Sequence, residues 1–140
     1  MRLAHLKVAL LIFGMAIVGL AGVVSAHNSV MGHKIPGKII HGQKADDINN
    51  AVMTYIREDT MLKGAFLVFD PVDNKTRSLT LDKLTAVIAM DSGDYLWCGD
   101  FKEGKNVIDL DFYLAPQGDK YTLKAIKIHK VNGVERKLLM

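Results

Sequence analysis

The chain carries a single cysteine, Cys98, so no disulfide can form within it and its core must hold without covalent staples. The thiol reads as a small buried or half-buried hydrophobe; a reactive or dimer-forming thiol is the alternative, and no nearby histidine or Cys-x-x-Cys pair supports it. A nucleophile elbow, a phosphate-binding loop, a His-Glu-x-x-His motif and a calcium loop are all missing. Asp109-Leu110-Asp111 does not supply the last of these, because it lacks the flanking glycine and distal glutamate. Basic residues do not cluster among aromatics, and nothing supports nucleic-acid binding. There is no internal repeat and no low-complexity linker.

What is present begins with an export pattern. Arg2, His5 and Lys7 precede an unbroken apolar or glycine run from Val8 to Val24, and Val24-Ser25-Ala26 offers tolerated residues at a cleavage position. This pattern predicts a secretory signal peptide over residues 1–26, cut near Ala26 to leave a periplasmic or secreted protein. Were the segment retained, it would be the one expected membrane contact, as an anchor close to the lower length limit of a spanning helix. Cleavage removes Arg2 and Lys7, so the formal charge of +3 falls and the mature chain is nearly neutral.

Residues 27–43 contain Gly, Pro, Ser and Asn without a clear period and read as a flexible arm. The arm holds His27, His33 and His41, with Met31 between them. Cleavage after Ala26 would make His27 the amino terminus, where its α-amine and ring nitrogen can chelate copper or zinc with His33 and His41 as further ligands. The simpler reading is a polar tail, with no cofactor.

Residues 44–140 read as a single α+β domain. From Lys44 to Leu62, Ile48, Ala51, Val52, Tyr55, Ile56 and Leu62 recur at steps of three and four, which predicts an amphipathic helix. Asp46 and Asp47 suit the positive end of its dipole, Asp59 and Lys63 can pair one turn apart, and Gly64 supplies a stop. Strands are expected over 65–70, 77–81, 84–90, 95–101, 106–114 and 120–130, the last with a bulge near Ala125. A four-residue loop over 102–105 would set Phe101 against Asn106 and Trp97 against Leu110. A turn over 91–94 would set Met90 against Tyr95 and Ile88 against Trp97. Both hairpins place one apolar face toward the helix, and Cys98, Asp100, Asp109 and Asp111 on the other.

The last strand brings Lys124, Lys127 and His129 to that acidic face. Asp100, Asp109, Asp111, Lys127 and His129 are thus the candidate ligand-binding residues, as a polar pocket, a cation site or a carboxylate–histidine acid–base pair. The simpler reading is a solvated sheet face whose cross-strand ion pairs are each worth under about 1 kcal/mol.

One helix followed by an antiparallel meander of about five strands is an α+β roll. It resembles the cystatin-like group, which includes cystatins, PepSY-type periplasmic domains and the larger NTF2-like cone. Phe69-Asp70-Pro71-Val72-Asp73-Asn74-Lys75 is similar to the Asp-Pro-x-Thr-Gly-Glu turn of PepSY-type domains, departing from it where Asn74 stands for glycine and Lys75 for glutamate. The resemblance implies a non-enzymatic binding or inhibitory module that contacts a protein or a small ligand through its sheet. Two further functions remain open: a copper or zinc protein using His27, His33 and His41, and an NTF2-like enzyme with Asp109, Asp111 and His129 in a cavity.

Overall fold

A computed structural model describes residues 37–137. The expected signal segment and most of the arm, with His27, Met31 and His33, lie outside the described residues. The helix is α1, Gln43–Lys63, and it turns Ile48, Val52 and Ile56 to the sheet at steps of four, all three buried. Asn49 lies on the flank of that stripe and accepts a hydrogen bond from Trp97 Nε1 at 3.0 Å, which fixes the helix against the middle of the sheet. Asp59 and Lys63 pair at 2.7 Å, and the chain leaves the helix at Gly64, whose N–H donates to the Thr60 carbonyl.

Seven strands form one antiparallel sheet among the described residues: β1 (Gly37–Ile39), β2 (Phe66–Asp70), β3 (Lys75–Met90), β4 (Tyr95–Glu103), β5 (Asn106–Gln117), β6 (Lys120–Val131) and β7 (Val134–Glu135). Their order is β1-β3-β4-β5-β6-β7, with β2 also paired to β3. The expected count of about five is therefore too low, and the short strands β1 and β7 account for the difference. β1 also corrects the loop expected before the helix, since Gly37–Ile39 pairs with Ile88–Met90. The two strands expected over 77–81 and 84–90 are one long strand, β3, irregular at Leu81/Lys83 and at Leu84/Ala86.

Both hairpin registers differ from expectation, with unequal consequences. Between β4 and β5 the connection is a two-residue turn, Gly104-Lys105, closed by the pair Glu103 and Asn106. Gly104 has φ 59°, which suits the first central position of the tight turn that matches strand twist. The register moves by two, so Trp97 faces Phe112, Phe101 faces Ile108, and every side chain keeps its expected face. Between β3 and β4 the shift is one residue. Val87, not Ile88, faces Trp97, and Ile88 joins Leu96 and Cys98 on the other face. The run from Ala86 to Met90 is apolar at every position, so its composition carries no information about which residues point inward.

The core between α1 and the sheet is aromatic at its centre. Trp97 packs edge-on against Phe112 at 5.1 Å between centroids, and Phe66, Phe101 and Phe112 lie near one another at 5.6–6.1 Å. The Trp97 ring covers Gly99 so closely that a Cβ there would lie 2.3 Å from the ring's Cη2. The sheet curls around the helix until the turn after β2 meets the far end of the meander, where Arg136 donates to both oxygens of Asp73 at 2.7 and 3.1 Å. Among the described residues no helix is long and apolar enough to cross a membrane.

Candidate functional site

On β5, alternation sends Ile108, Leu110 and Phe112 toward α1 and sends Asp109 and Asp111 to the opposite face. The neighbouring strand has a register shift in which Asp109 pairs with Lys130 and Leu110 with Ile128, which leaves His129 as the extra residue. A bulge of this kind re-aims a side chain, and here it delivers the imidazole to Asp109, with Nδ1 of His129 3.0 Å from Oδ2. A second shift, between Tyr113 and Leu114, leaves Lys124 as the extra residue, one position from the expected bulge at Ala125.

The three residues are buried, not solvated: Asp109 is 7% exposed, Asp111 2% and His129 7%. For these three residues the structure departs from the solvated-face reading, while Lys124 and Lys127 are exposed as that reading has them. Oδ1 of Asp109 is buried without a hydrogen-bond partner. Burial above all, and then the adjacent Asp111 carboxylate, push the Asp109 carboxyl above its usual range, while His129 pulls it back. One ligand atom from each of Asp109, Asp111 and His129 can be chosen so that all lie within 4.8 Å of one another, and among the described residues this is the one group of its kind.

The other expected residues surround this cluster without joining it. Asp100 is the cross-strand partner of Asp109, yet its carboxylate pairs with Lys83 at 3.4 Å. Lys127 is the partner of Asp111 along the sheet, but its amine stands 4.9 Å over the Tyr113 ring. Lys124, expected opposite Asp111, bonds Asp94 at 2.7 Å. Cys98 faces Asp111 across the strands and is buried; burial first, and then the Asp111 charge, push its thiol up and keep it protonated. His41 is exposed just before α1, beside a cavity of about 250 Å³ lined also by Ile39, Leu84 and Val87.

A second polar cluster went unforeseen. Asp70 is 0% and Arg77 2% exposed, and both lie on the helix side of the β2–β3 hairpin. The Arg77 guanidinium bonds Asp70 at 2.8 Å, and Asp73 and Glu103 at 2.5 Å each. Asp70 also accepts the backbone N–H groups of Val72 and Asp73, which shapes the turn. Asn74 sits there at φ 49°, a left-handed conformation that asparagine tolerates. Sequence parity held the signal: Asp70 follows Val68 by two residues, and Arg77 precedes Leu79 by two, so both fall on the inward face.

Among the described residues, the fold and this cluster together describe one helix on a curled antiparallel sheet, with a buried carboxylate–carboxylate–imidazole group on the sheet face away from the helix. No protein-family model, no curated protein and no solved structure matches the chain.

Proposed function

We propose that the protein is an exported, non-enzymatic binding module, periplasmic or secreted, which takes its ligand through the Asp109–Asp111–His129 face of β5 and β6. One observation carries this reading. Buried ionisable groups cost stability, and Asp109, 7% exposed, keeps one carboxylate oxygen without a hydrogen-bond partner. Groups retained at such a cost are candidates for recognition. Native mass spectrometry of the protein recovered from its export compartment tests it. The expected species begins at His27 and carries a bound mass that Asp109→Asn removes. A species retaining Met1, or one with no bound mass under any mild desorption condition, overturns the reading.

The imidazole held on Asp109 at 3.0 Å favours a second reading, an enzyme using His129 as a general base oriented by Asp109. It requires an enclosed substrate cavity beside His129. Solvent-accessible probes that leave His129 unreactive in the ligand-free protein would exclude it.

A further inference from the structure

We infer that Asp109, Asp111 and His129 form a binding site for one divalent first-row transition ion of the zinc class. The inference deepens the reading above by naming the ligand of that face, and it rests on that reading. The donor set is the first support. Each residue offers one ligand atom, and the three atoms lie within 4.8 Å of one another. Metal–ligand distances of about 2.0–2.2 Å place two ligands of one ion at most about 4.4 Å apart, so small side-chain rotations close the group onto an ion.

The second support is independent of the donor count. Asp109 is 7% exposed, and its Oδ1 has no hydrogen-bond partner although its other oxygen is held by His129. A buried carboxylate oxygen in this condition costs free energy until something positive meets it. A dication bound among these three side chains is that partner.

The local fold is suited to hold an ion in place. Asp109 and Asp111 project from consecutive same-face positions of a central strand, paired on both sides by β4 and β6. His129 is aimed by a bulge and steadied by the Asp109 carboxylate. Ligands carried on rigid strands keep their geometry better than ligands on loops. The composition also selects the metal class. Calcium takes about six to eight oxygen ligands, and magnesium keeps an all-oxygen shell. An imidazole beside two carboxylates suits zinc and its first-row neighbours instead.

This donor set shares no residue with the one expected at the amino-terminal histidines His27, His33 and His41. Of those, His41 is exposed and is not part of the cluster. The two locations therefore give opposite mutational results.

The test uses the full exported protein, stripped with a chelator and titrated with Zn²⁺ by calorimetry and with Co²⁺ by visible absorption. One ion per chain is expected, with Co²⁺ bands of low-coordinate type and with Ca²⁺ unable to compete. Asp109→Asn, which keeps the shape of the side chain and can still accept from His129, should weaken Zn²⁺ binding by more than about tenfold. Asp111→Asn and His129→Gln should do the same, and circular dichroism of each metal-free variant reports whether it folds. The combined alanine variant of His27, His33 and His41 should bind as the natural chain does. Equal affinity in Asp109→Asn and Asp111→Asn, loss only in the triple histidine variant, or no binding to Zn²⁺ or Co²⁺ overturns the inference. A non-metal mass that Asp109→Asn removes in the native spectrum would then leave the binding-module reading standing, whereas its absence would take both down.

Discussion

The molecule buries charge in two places, on opposite faces of one sheet, and treats it differently. On the helix side, Arg77 is surrounded by three carboxylates, and Arg136 ties two of them to the far end of the meander. Asp70 there accepts from the guanidinium and from two backbone N–H groups. On the other side, Asp109 and Asp111 lie side by side on one strand with His129, and one oxygen of Asp109 is left over. The first cluster closes a curled sheet, and its charges are matched by other parts of the chain. In the second, Oδ1 of Asp109 has no hydrogen-bond partner among the described residues. The two clusters differ in arrangement: on the helix side guanidinium and carboxylate charges alternate, whereas the like-charged Asp109 and Asp111 lie beside one imidazole.

The comparison breaks most sharply at Arg77. Arg77→Ala leaves the buried Asp70 with only Arg136, 3.4 Å away, as a counter-charge and should lower the unfolding free energy by about 3 kcal/mol, measured by urea denaturation. A loss below about 1 kcal/mol would show that the helix-side network is not structural. Arg136→Ala removes the two-pronged bond to Asp73 that closes the curl. It should cost less than Arg77→Ala in the same assay, with α1 and β4 retaining their amide protection.

On the other face the sign should reverse. Asp109→Asn exchanges an incompletely partnered buried carboxylate for a neutral amide, so the metal-free protein should be unchanged or more stable by up to about 1 kcal/mol. A loss as large as that of Arg77→Ala would erase the distinction between the two clusters.

The smallest expected effect is on the acid limb of stability. Hydrogen bonding from Arg136, and then the charges of Arg136, Arg77 and Lys75, hold the Asp73 carboxyl below its ordinary value of 3.8. A carboxyl whose pKa is lower folded than unfolded adds stability that is fully present above its unfolded pKa and is lost as pH falls through its folded pKa. Thermal melts below pH 3.8 should therefore show a shallower decline in Asp73→Asn than in the natural chain. Parallel slopes in the two proteins would show that Asp73 is equally solvated folded and unfolded.

Much of the fold was legible because its signals are local. Three- and four-residue spacing located α1 within a residue at each end, and alternation assigned Asp109 and Asp111 to the face away from it. The shift of two at the β4–β5 hairpin did not disturb that assignment, since the strand period is two. The shift of one at β3–β4 did, because residues 86–90 are apolar throughout and either parity satisfies composition. Half of the site was legible in the same way. The acidic face and His129 were expected together, whereas the bulge that aims the imidazole depends on how β6 pairs across two separate register shifts.

The amino-acid order by itself determined the place of α1 and the course of the long strands, where most turns fall, and which side chains of β4 and β5 share a face. Those properties follow from backbone periodicity and from turn residues within a few positions of one another. Only the tertiary structure decided that Asp109, Asp111 and His129 are buried, that Asp100 and Lys127 turn to Lys83 and Tyr113, and that Arg136 crosses to Asp73 to close the curl. Solvent exclusion and charge pairing depend on where distant strands come to rest, and a residue's own neighbourhood in the chain carries no record of that.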